Sequence, residues 1–185
     1  MKKTFLCALL FSTAANAQTQ TAADFMRQAN GNRPKQGVVY TMTVSGDDGV
    51  ISYDVSQKGD KWKMESKNAA LPATVLFDGR QVTVSVMGMA VKDKNAPNYA
   101  ALPMDDETFV LGEETVKNGV SCRMMSDAKG TQICVSEQFG LPVYTKTENM
   151  QVDMKNIRAA ALDDSVFILP AKTQIVDMND MFFGR

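Results

Sequence analysis

The side chains that most often do chemistry in enzymes are scarce or poorly placed in this sequence. The chain contains no histidine, which excludes Ser-His and Cys-His nucleophile pairs, the HExxH zinc site and any imidazole general base. Carboxylate pairs remain at Asp105-Asp106, Glu113-Glu114 and Asp163-Asp164. Neighbouring residues of a strand point to opposite faces, so none of these pairs forms a facing acid and base, and turn or loop positions explain them better. We therefore expect a protein without catalytic residues that is not an enzyme.

Methionine is the other residue type that offers a chemical role. The chain has 13 Met, and the sequence brings thioethers close together at Met87-Gly88-Met89 and at Met178 and Met181. Thioethers are soft ligands for Cu(I), so copper binding is one hypothesis. Met87 and Met89 are also expected to be strand neighbours on one face, as a packed core would require. Core packing is the simpler interpretation, and we expect no metal site and no cofactor.

Two cysteines, Cys122 and Cys134, flank the turn-forming residues Asp127-Ala128-Lys129-Gly130, between two runs that are typical of strands. In an oxidising compartment this arrangement predicts a disulfide across a hairpin. A redox role is not indicated, because the chain has no C-x-x-C motif.

The register of this hairpin has two solutions. Direct pairing of the two cysteines requires an odd-numbered loop. The apolar pairs of Cys122 with Val135 and Met124 with Ile133 require an even-numbered one, because a slip of one residue exchanges the faces of a strand. A bulge at Gly130 would reconcile the two solutions.

The first residues have the three parts of a secretory signal peptide. Met1-Lys2-Lys3 is a positive n-region, an apolar h-region begins at Phe5, and Ala15-Asn16-Ala17 is an A-x-A cleavage site. The apolar run is too short to cross a bilayer, and no later stretch approaches the required length. We therefore expect a signal peptide at residues 1–17, a single mature domain at residues 18–185, a periplasmic location and no transmembrane segment.

The elements after the signal peptide are one helix and then strands. Ala22, Phe25, Met26 and Ala29 recur at helical spacing, which predicts a short amphipathic helix over residues 21–30. From residue 37 onward apolar and polar residues alternate, which is typical of an antiparallel sheet with one dry and one wet face. Residues 95–106 interrupt this alternation with prolines and predict a loop.

The alternation places large apolar side chains on the dry face of the predicted sheet. This face has two interpretations, the wall of a cavity that holds acyl chains or a plain core covered by the N-terminal helix. Methionine suits a surface that adapts to varied partners, because its thioether side chain is flexible. If the face is a cavity wall, its candidate ligand-binding residues are Tyr40, Met42, Tyr53, Trp62, Met64, Phe77, Val84 and Val86.

Charge gives no indication of a nucleic-acid partner. The formal net charge is −1, and the sequence lacks a basic footprint, a phosphate-binding loop and a dinucleotide fingerprint. A cluster formed by Lys58, Lys61, Lys63 and Lys67 could contact anionic lipid headgroups or an acidic partner. A solvated strand face explains the same cluster.

Several motifs in the second half of the chain occur in an order that is found in a known family. The run from Leu111-Gly112-Glu113 to Ser121-Cys122 precedes a hairpin and then Phe139-Gly140-Leu141-Pro142. The chain closes on Asn156-Ile157-Arg158 and on Phe167-Ile168-Leu169-Pro170. Together with the signal peptide and the leading helix, this order resembles the LolA-like superfamily of secreted bacterial proteins. That superfamily includes the outer-membrane lipoprotein carriers and the lipid-binding domain of the RseB sensor.

The resemblance implies a curved antiparallel sheet in the form of a half-barrel, with the N-terminal helix and a short lid over its concave face. It also implies a monomer that binds a lipid or a lipidated protein on that face. The alternative is an envelope module, for protein interaction or sensing, that recognises a partner segment. Where the true carriers typically have Arg-Pro and a further Arg, this chain has Lys58-Gly59-Asp60-Lys61-Trp62-Lys63. It therefore looks more similar to the uncharacterised relatives.

Overall fold

The fold is that of a computed structural model, which describes residues 20–67, 72–93 and 108–177. The predicted signal peptide and the predicted loop at 95–106 lie outside the described residues. No helix in the described ranges is long and apolar enough to cross a membrane. The elements are α1 (Ala22–Gly31), β1 (Val38–Gly46), β2 (Gly49–Lys58), β3 (Lys61–Ser66), β4 (Ala73–Phe77), β5 (Val82–Val86), β6 (Met89–Asp93), β7 (Val110–Lys117), β8 (Val120–Ser126), β9 (Gln132–Ser136), β10 (Leu141–Lys146), β11 (Met150–Ala159), a 3-10 helix (Asp164–Phe167) and β12 (Gln174–Asp177).

The strands form a single 12-stranded sheet in the order β12-β6-β5-β4-β3-β2-β1-β11-β10-β9-β8-β7. Two meanders, β1 to β6 and β7 to β11, join where β1 pairs with β11. All neighbours are antiparallel except β12, which runs parallel to β6. The sheet is open, with β7 and β12 at its two edges. The predicted mainly β fold, with one antiparallel sheet and an N-terminal helix, is confirmed.

Helix α1 begins one residue later than the helical spacing predicts, because Thr21 is its N-cap. The Thr21 Oγ1 atom accepts a hydrogen bond of 3.1 Å from the Asp24 backbone N–H, which satisfies one of the unpaired donors of the first turn. The predicted apolar positions Phe25 and Met26 are buried. They pack against side chains of β8 and β9 and so attach the helix to the sheet.

Cys122 and Cys134 form the predicted disulfide, with a Cα–Cα distance of 5.5 Å. Cys134 pairs across the ladder with Met124, not with Cys122. The bond is therefore diagonal, since Cys122 lies two residues from Met124 on the same face of β8. It closes the β8–β9 hairpin near the end that is far from its turn.

The apolar pairs predicted across this hairpin are wrong. Val135 pairs with Arg123 and Ile133 pairs with Met125, in one unbroken register without a bulge at the turn. This register turns Ile133 and Val135 toward α1, which buries them, whereas the even-numbered loop would have turned them away. The predicted pairs that the structure replaces are Cys122 with Val135 and Met124 with Ile133.

One turn and one strand differ from what the alternation indicates. Met87 and Gly88 are the two loop residues of the β5–β6 hairpin, with φ values of 53° and 82°. Positive φ at both positions is the geometry of a tight hairpin turn. Met87 is therefore not a strand neighbour of Met89 on one face, which corrects that prediction. Strand β12 was not anticipated, because it is short and pairs with a distant segment.

The division into a dry and a wet face fails at β4 to β6. Leu76, Thr83 and Ala90 point to the face opposite the large apolar residues, yet they are buried. In the ladder Leu76 lies next to Lys63, and Thr83 lies next to Lys92. Long lysine stems cover short neighbours while their ammonium groups stay in water, so this face is covered in part by its own side chains.

Candidate functional site

The sheet register places all the predicted cavity residues on one face, which we call the apolar face. Residues paired directly across an antiparallel ladder point to the same side of the sheet. Because β1 to β5 pair without a shift, this rule applies from Tyr40 in β1 to Val86 in β5. The pairs that extend the face are Tyr40–Val55, Met42–Tyr53, Val55–Met64, Trp62–Phe77, Val75–Val84 and Ala73–Val86.

The side chains of the apolar face form rows that run across the strands. These rows differ in how deeply they are buried. The first row, which we call the buried row, is closed to solvent and contains a Trp62–Phe77 ring stack with centroids 5.9 Å apart. Its members are Val38, Gln57, Trp62, Phe77 and Val82.

The next two rows, which we call the open rows, are more exposed. Tyr40 and Val55 are still buried, but Met64 and Val75 are half-buried and Val84 is 42% exposed. Exposed apolar side chains that lie together mark a binding surface more often than scattered single ones do. The remaining members of these rows from β1 to β5 are Met42, Tyr53, Ser66, Ala73 and Val86, all half-buried.

Helix α1 lies on this same face, but at the other end of the sheet. Successive ladder pairs extend this face from Val44 of β1 to Val152 of β11 and then to Thr145 of β10. They continue to Ile133 of β9 and Met125 of β8. The last two pack against α1. The predicted helix therefore covers β8 and β9 and leaves the open rows of β3 to β5 without a helix over them in the described part of the chain.

Arg33 lies between α1 and the apolar face. Its Nη2 donates a hydrogen bond of 2.9 Å to the Gly140 carbonyl. Its Nε is buried without an acceptor. Burial lowers the pKa of the Arg33 guanidinium. Burial likewise raises the pKa of the Tyr40 phenol, and the nearby Arg33 cation opposes that shift.

Gln57 is a second polar group on the apolar face. It belongs to the buried row, and its Oε1 atom has no hydrogen-bond partner. An unpaired amide oxygen in such a place costs free energy. The sequence signal for Gln57 is a polar residue at an apolar position of the alternation, after Tyr53 and Val55. Arg33 gives no comparable signal, because it stands in the irregular segment before Pro34.

The lysine cluster is ion-paired and lies away from the apolar face. Lys58 and Lys61 contact Asp164 at 2.9 and 3.5 Å. The hydrogen bond from Lys58 holds the pKa of the Asp164 carboxyl below its ordinary value of 3.8. Lys63 contacts Glu65 at 2.9 Å, and the Lys67–Asp54 distance is 3.0 Å.

The other candidate groups do not assemble into a site. Glu113 lies where the pairing of β7 with β8 shifts register, so it has no direct partner in the ladder. Glu114 pairs with Arg123 of β8. Asp163 caps the 3-10 helix through a bond of 2.9 Å from the Ser165 N–H. No group of His, Cys, Asp and Glu side chains suited to a metal occurs within the described ranges. The pairs 105–106 and 178/181 lie outside them.

Comparison of the sequence finds no match, whereas comparison of the structure finds proteins with a similar fold. No protein-family model and no curated protein matches the sequence. A structure of an uncharacterized conserved protein from Thermus thermophilus is similar over 84% of this chain and 98% of its own, with a TM-score of 0.62 and 10% identity. The crystal structure of MucB aligns over 84% of this chain with a TM-score of 0.59 and 13% identity.

The MucB match identifies the fold, because MucB is an RseB-type protein. The chain has the fold of MucB, as the resemblance to the LolA-like proteins predicts. It spans 65% of the MucB chain, so the rest of MucB has no counterpart in it. A structure of MucB in complex with MucA(peri) is also similar, with a TM-score of 0.50, 14% identity and coverage of 84% of this chain and 62% of that chain. At these identities the LolA-like match concerns the fold alone.

Proposed function

We propose that this protein is a non-enzymatic binding protein of the bacterial envelope that holds acyl chains of a lipid or a lipidated protein. The observation that carries the proposal is the pair of open rows on the apolar face. These rows place half-buried Tyr, Met and Val side chains side by side from β1 to β5. They offer a mainly apolar and partly accessible surface, which Ser66 in β3 interrupts in the second of the two rows.

The energetics of acyl binding match such a surface. Each CH₂ group removed from water contributes about 0.8 kcal/mol, so a long chain binds tightly without polar contacts. The accessible part of the first open row runs from Met64 to Val84, which corresponds to two strand spacings, roughly 10 Å. Met42 and Met64 add side chains that adapt their shape to an irregular ligand. The signal-peptide prediction supports an envelope location.

A matched pair of variants tests this proposal. Val84→Asp introduces a charge into the open rows, and Val116→Asp introduces the same charge at a valine of edge strand β7 that is more accessible, with 65% exposure against 42% for Val84. We expect delipidated protein to bind a fluorescent fatty acid, Val84→Asp to weaken that binding at least tenfold, and Val116→Asp to leave it unchanged. Equal binding by the parent and Val84→Asp, with both folded by circular dichroism, would refute the role of the open rows.

A second candidate function is recognition of a protein segment, and edge strand β7 favours it. Val110 and Val116 on this strand are 69% and 65% exposed. An edge strand offers unpaired backbone groups to which a partner can add a strand. MucB has been crystallised with the protein MucA(peri). A partner that co-purifies with the parent protein but not with Val116→Asp would support this function.

A further inference from the structure

The Arg33 guanidinium has an unusual environment for a charged group. It is half-buried, its hydrogen bond goes to a backbone carbonyl, and its Nε has no acceptor. No carboxylate of the described residues forms a salt bridge with it. Removing a cation from water is costly unless an anion or several acceptors compensate. Arg33 therefore has unused capacity to bind a negatively charged oxygen group.

The position of Arg33 is fixed by the backbone around it. The turn before β10 contains Gly140, with a φ of 61°. A Cβ atom at Gly140 would lie 2.5 Å from the Ala29 carbonyl oxygen. Only glycine allows the last turn of α1 to approach this closely, and the Arg33 side chain then reaches the Gly140 carbonyl. The guanidinium is thus held in place before any ligand arrives.

The guanidinium also lies where the open rows begin. Arg33 acts electrostatically on Tyr40, which is the β1 member of the row that ends at Val84. Tyr40 packs in one cluster with Leu141, the residue after Gly140. A ligand with its apolar length over Met64 and Val75 would therefore have its other end directed toward Arg33, beyond the buried side chains of Val55 and Tyr40.

We propose that Arg33 binds the anionic head group, a carboxylate or a phosphate, of a ligand whose acyl chain lies along the open rows. This inference rests on the proposed function and makes it more specific, because it selects acidic amphiphiles over neutral lipids. The planar guanidinium matches both oxyanions through paired N–H donors. The apolar surroundings strengthen such a contact relative to water.

The experiment compares ligands that differ only in the head group. Delipidated protein is titrated with oleate, oleyl phosphate and oleyl alcohol by calorimetry, and with acetate as a free anion without a chain. The variants are Arg33→Gln, Arg33→Lys and the control Arg27→Gln, which removes the exposed cation that Arg27 contributes to its pair with Asp24. Arg33→Lys keeps the charge and protects the test against a folding defect in Arg33→Gln.

We expect the parent to bind oleate or oleyl phosphate at least tenfold more tightly than oleyl alcohol, since a hydrogen bond to a charged group is worth about one factor of ten or more. Arg33→Gln should abolish this preference, Arg33→Lys should retain part of it, and Arg27→Gln should retain all of it. Whichever anion is preferred identifies the head group, and acetate should not bind.

Three results would overturn the inference in different ways. Equal affinity of the parent for oleate, oleyl phosphate and oleyl alcohol would reject the anion site but leave acyl binding in place. Absence of binding for all three would reject the proposed function as well. Binding of acetate as strong as that of oleate would show a free-anion site unrelated to the open rows.

Discussion

The two ends of the apolar face have similar composition and opposite environments. At the β8–β9 end, Met125, Ile133 and Val135 are covered by α1 and form a closed core. At the β4–β5 end, Val75 and Val86 are half-buried and Val84 is exposed. The residues are of the same kind, and the difference is which part of the chain lies over them. An apolar side chain under α1 is a structural residue, whereas one in the open rows of β4 and β5 is available to a ligand. The buried row at that end, with Phe77 and Val82, is closed as well.

This difference has an energetic consequence. Apolar side chains that α1 buries stabilise the folded chain itself. Apolar side chains left exposed at β4 and β5 can be buried by a partner, and that burial stabilises the complex. Substitutions at the covered end should therefore reduce stability, and equivalent substitutions at the open end should reduce binding.

The largest expected effect is at the covered end. Phe25→Ala removes a ring that packs between α1 and the sheet and is buried. We expect the free energy of unfolding to fall by about 3–5 kcal/mol, measured by urea denaturation of the mature protein. A loss below about 1 kcal/mol would mean that α1 contributes little and that the two ends do not differ as described.

Removal of the disulfide should have the next largest effect. The Cys122–Cys134 bond closes a short loop, with a sequence separation of 12, so the double variant Cys122→Ala/Cys134→Ala should lose about 3 kcal/mol of stability. Reduction of the parent protein with dithiothreitol should give a similar loss. Acyl binding by the folded fraction should persist, because the bond lies far from the open rows. Loss of binding in a folded, reduced protein would contradict this separation.

Val84→Ser should have a small effect on stability. Its side chain is exposed, and substitutions at exposed sites usually change the free energy of unfolding by no more than about 0.5 kcal/mol. Affinity for a fatty acid should nevertheless fall, because Val84 belongs to the open rows. A large loss of stability would show that Val84 is part of a closed core, as Phe25 is.

The smallest effect should come from the ion pair that holds the 3-10 helix. Lys58 lowers the pKa of Asp164 below its ordinary value of 3.8, so the charged carboxylate stabilises the fold at neutral pH. This contribution is present above the ordinary pKa and disappears as the pH falls through the lowered one. Asp164→Asn should therefore melt slightly below the parent at pH 7, and the two melting temperatures should converge under strongly acidic conditions. A difference that grows toward low pH would refute this assignment.

Local patterns were sufficient to predict most of the fold. The helical spacing of Phe25 and Met26 predicted α1, and the alternation of apolar residues predicted which side of β1 to β5 each side chain occupies. The register of the β8–β9 hairpin could not be predicted, because the local pattern allowed two registers and the structure forms a third, in which Met124 pairs with Cys134. In this register Ile133 and Val135 pack against α1. Arg33 could not be found either, since its environment depends on the contact between α1 and the distant Gly140.

The same limit applies to the binding face. Alternation shows that Tyr40, Met64 and Val84 share a side, but it cannot show that Tyr40 is buried and Val84 exposed. That distinction arises because Tyr40 packs in a buried cluster with Leu141 of β10 and Met154 of β11. Sequence therefore predicted the composition of the candidate site, and three-dimensional packing divided it into core and accessible surface.

The central claim, that the open rows hold an acyl chain, is tested most directly by native mass spectrometry of the mature protein purified from its own envelope. The bound material would then be extracted and identified. We predict a single acyl ligand per chain, released on denaturation and carrying a carboxylate or phosphate. A protein at its bare mass that takes up no added oleate would contradict the claim and favour the edge of β7 as the functional surface.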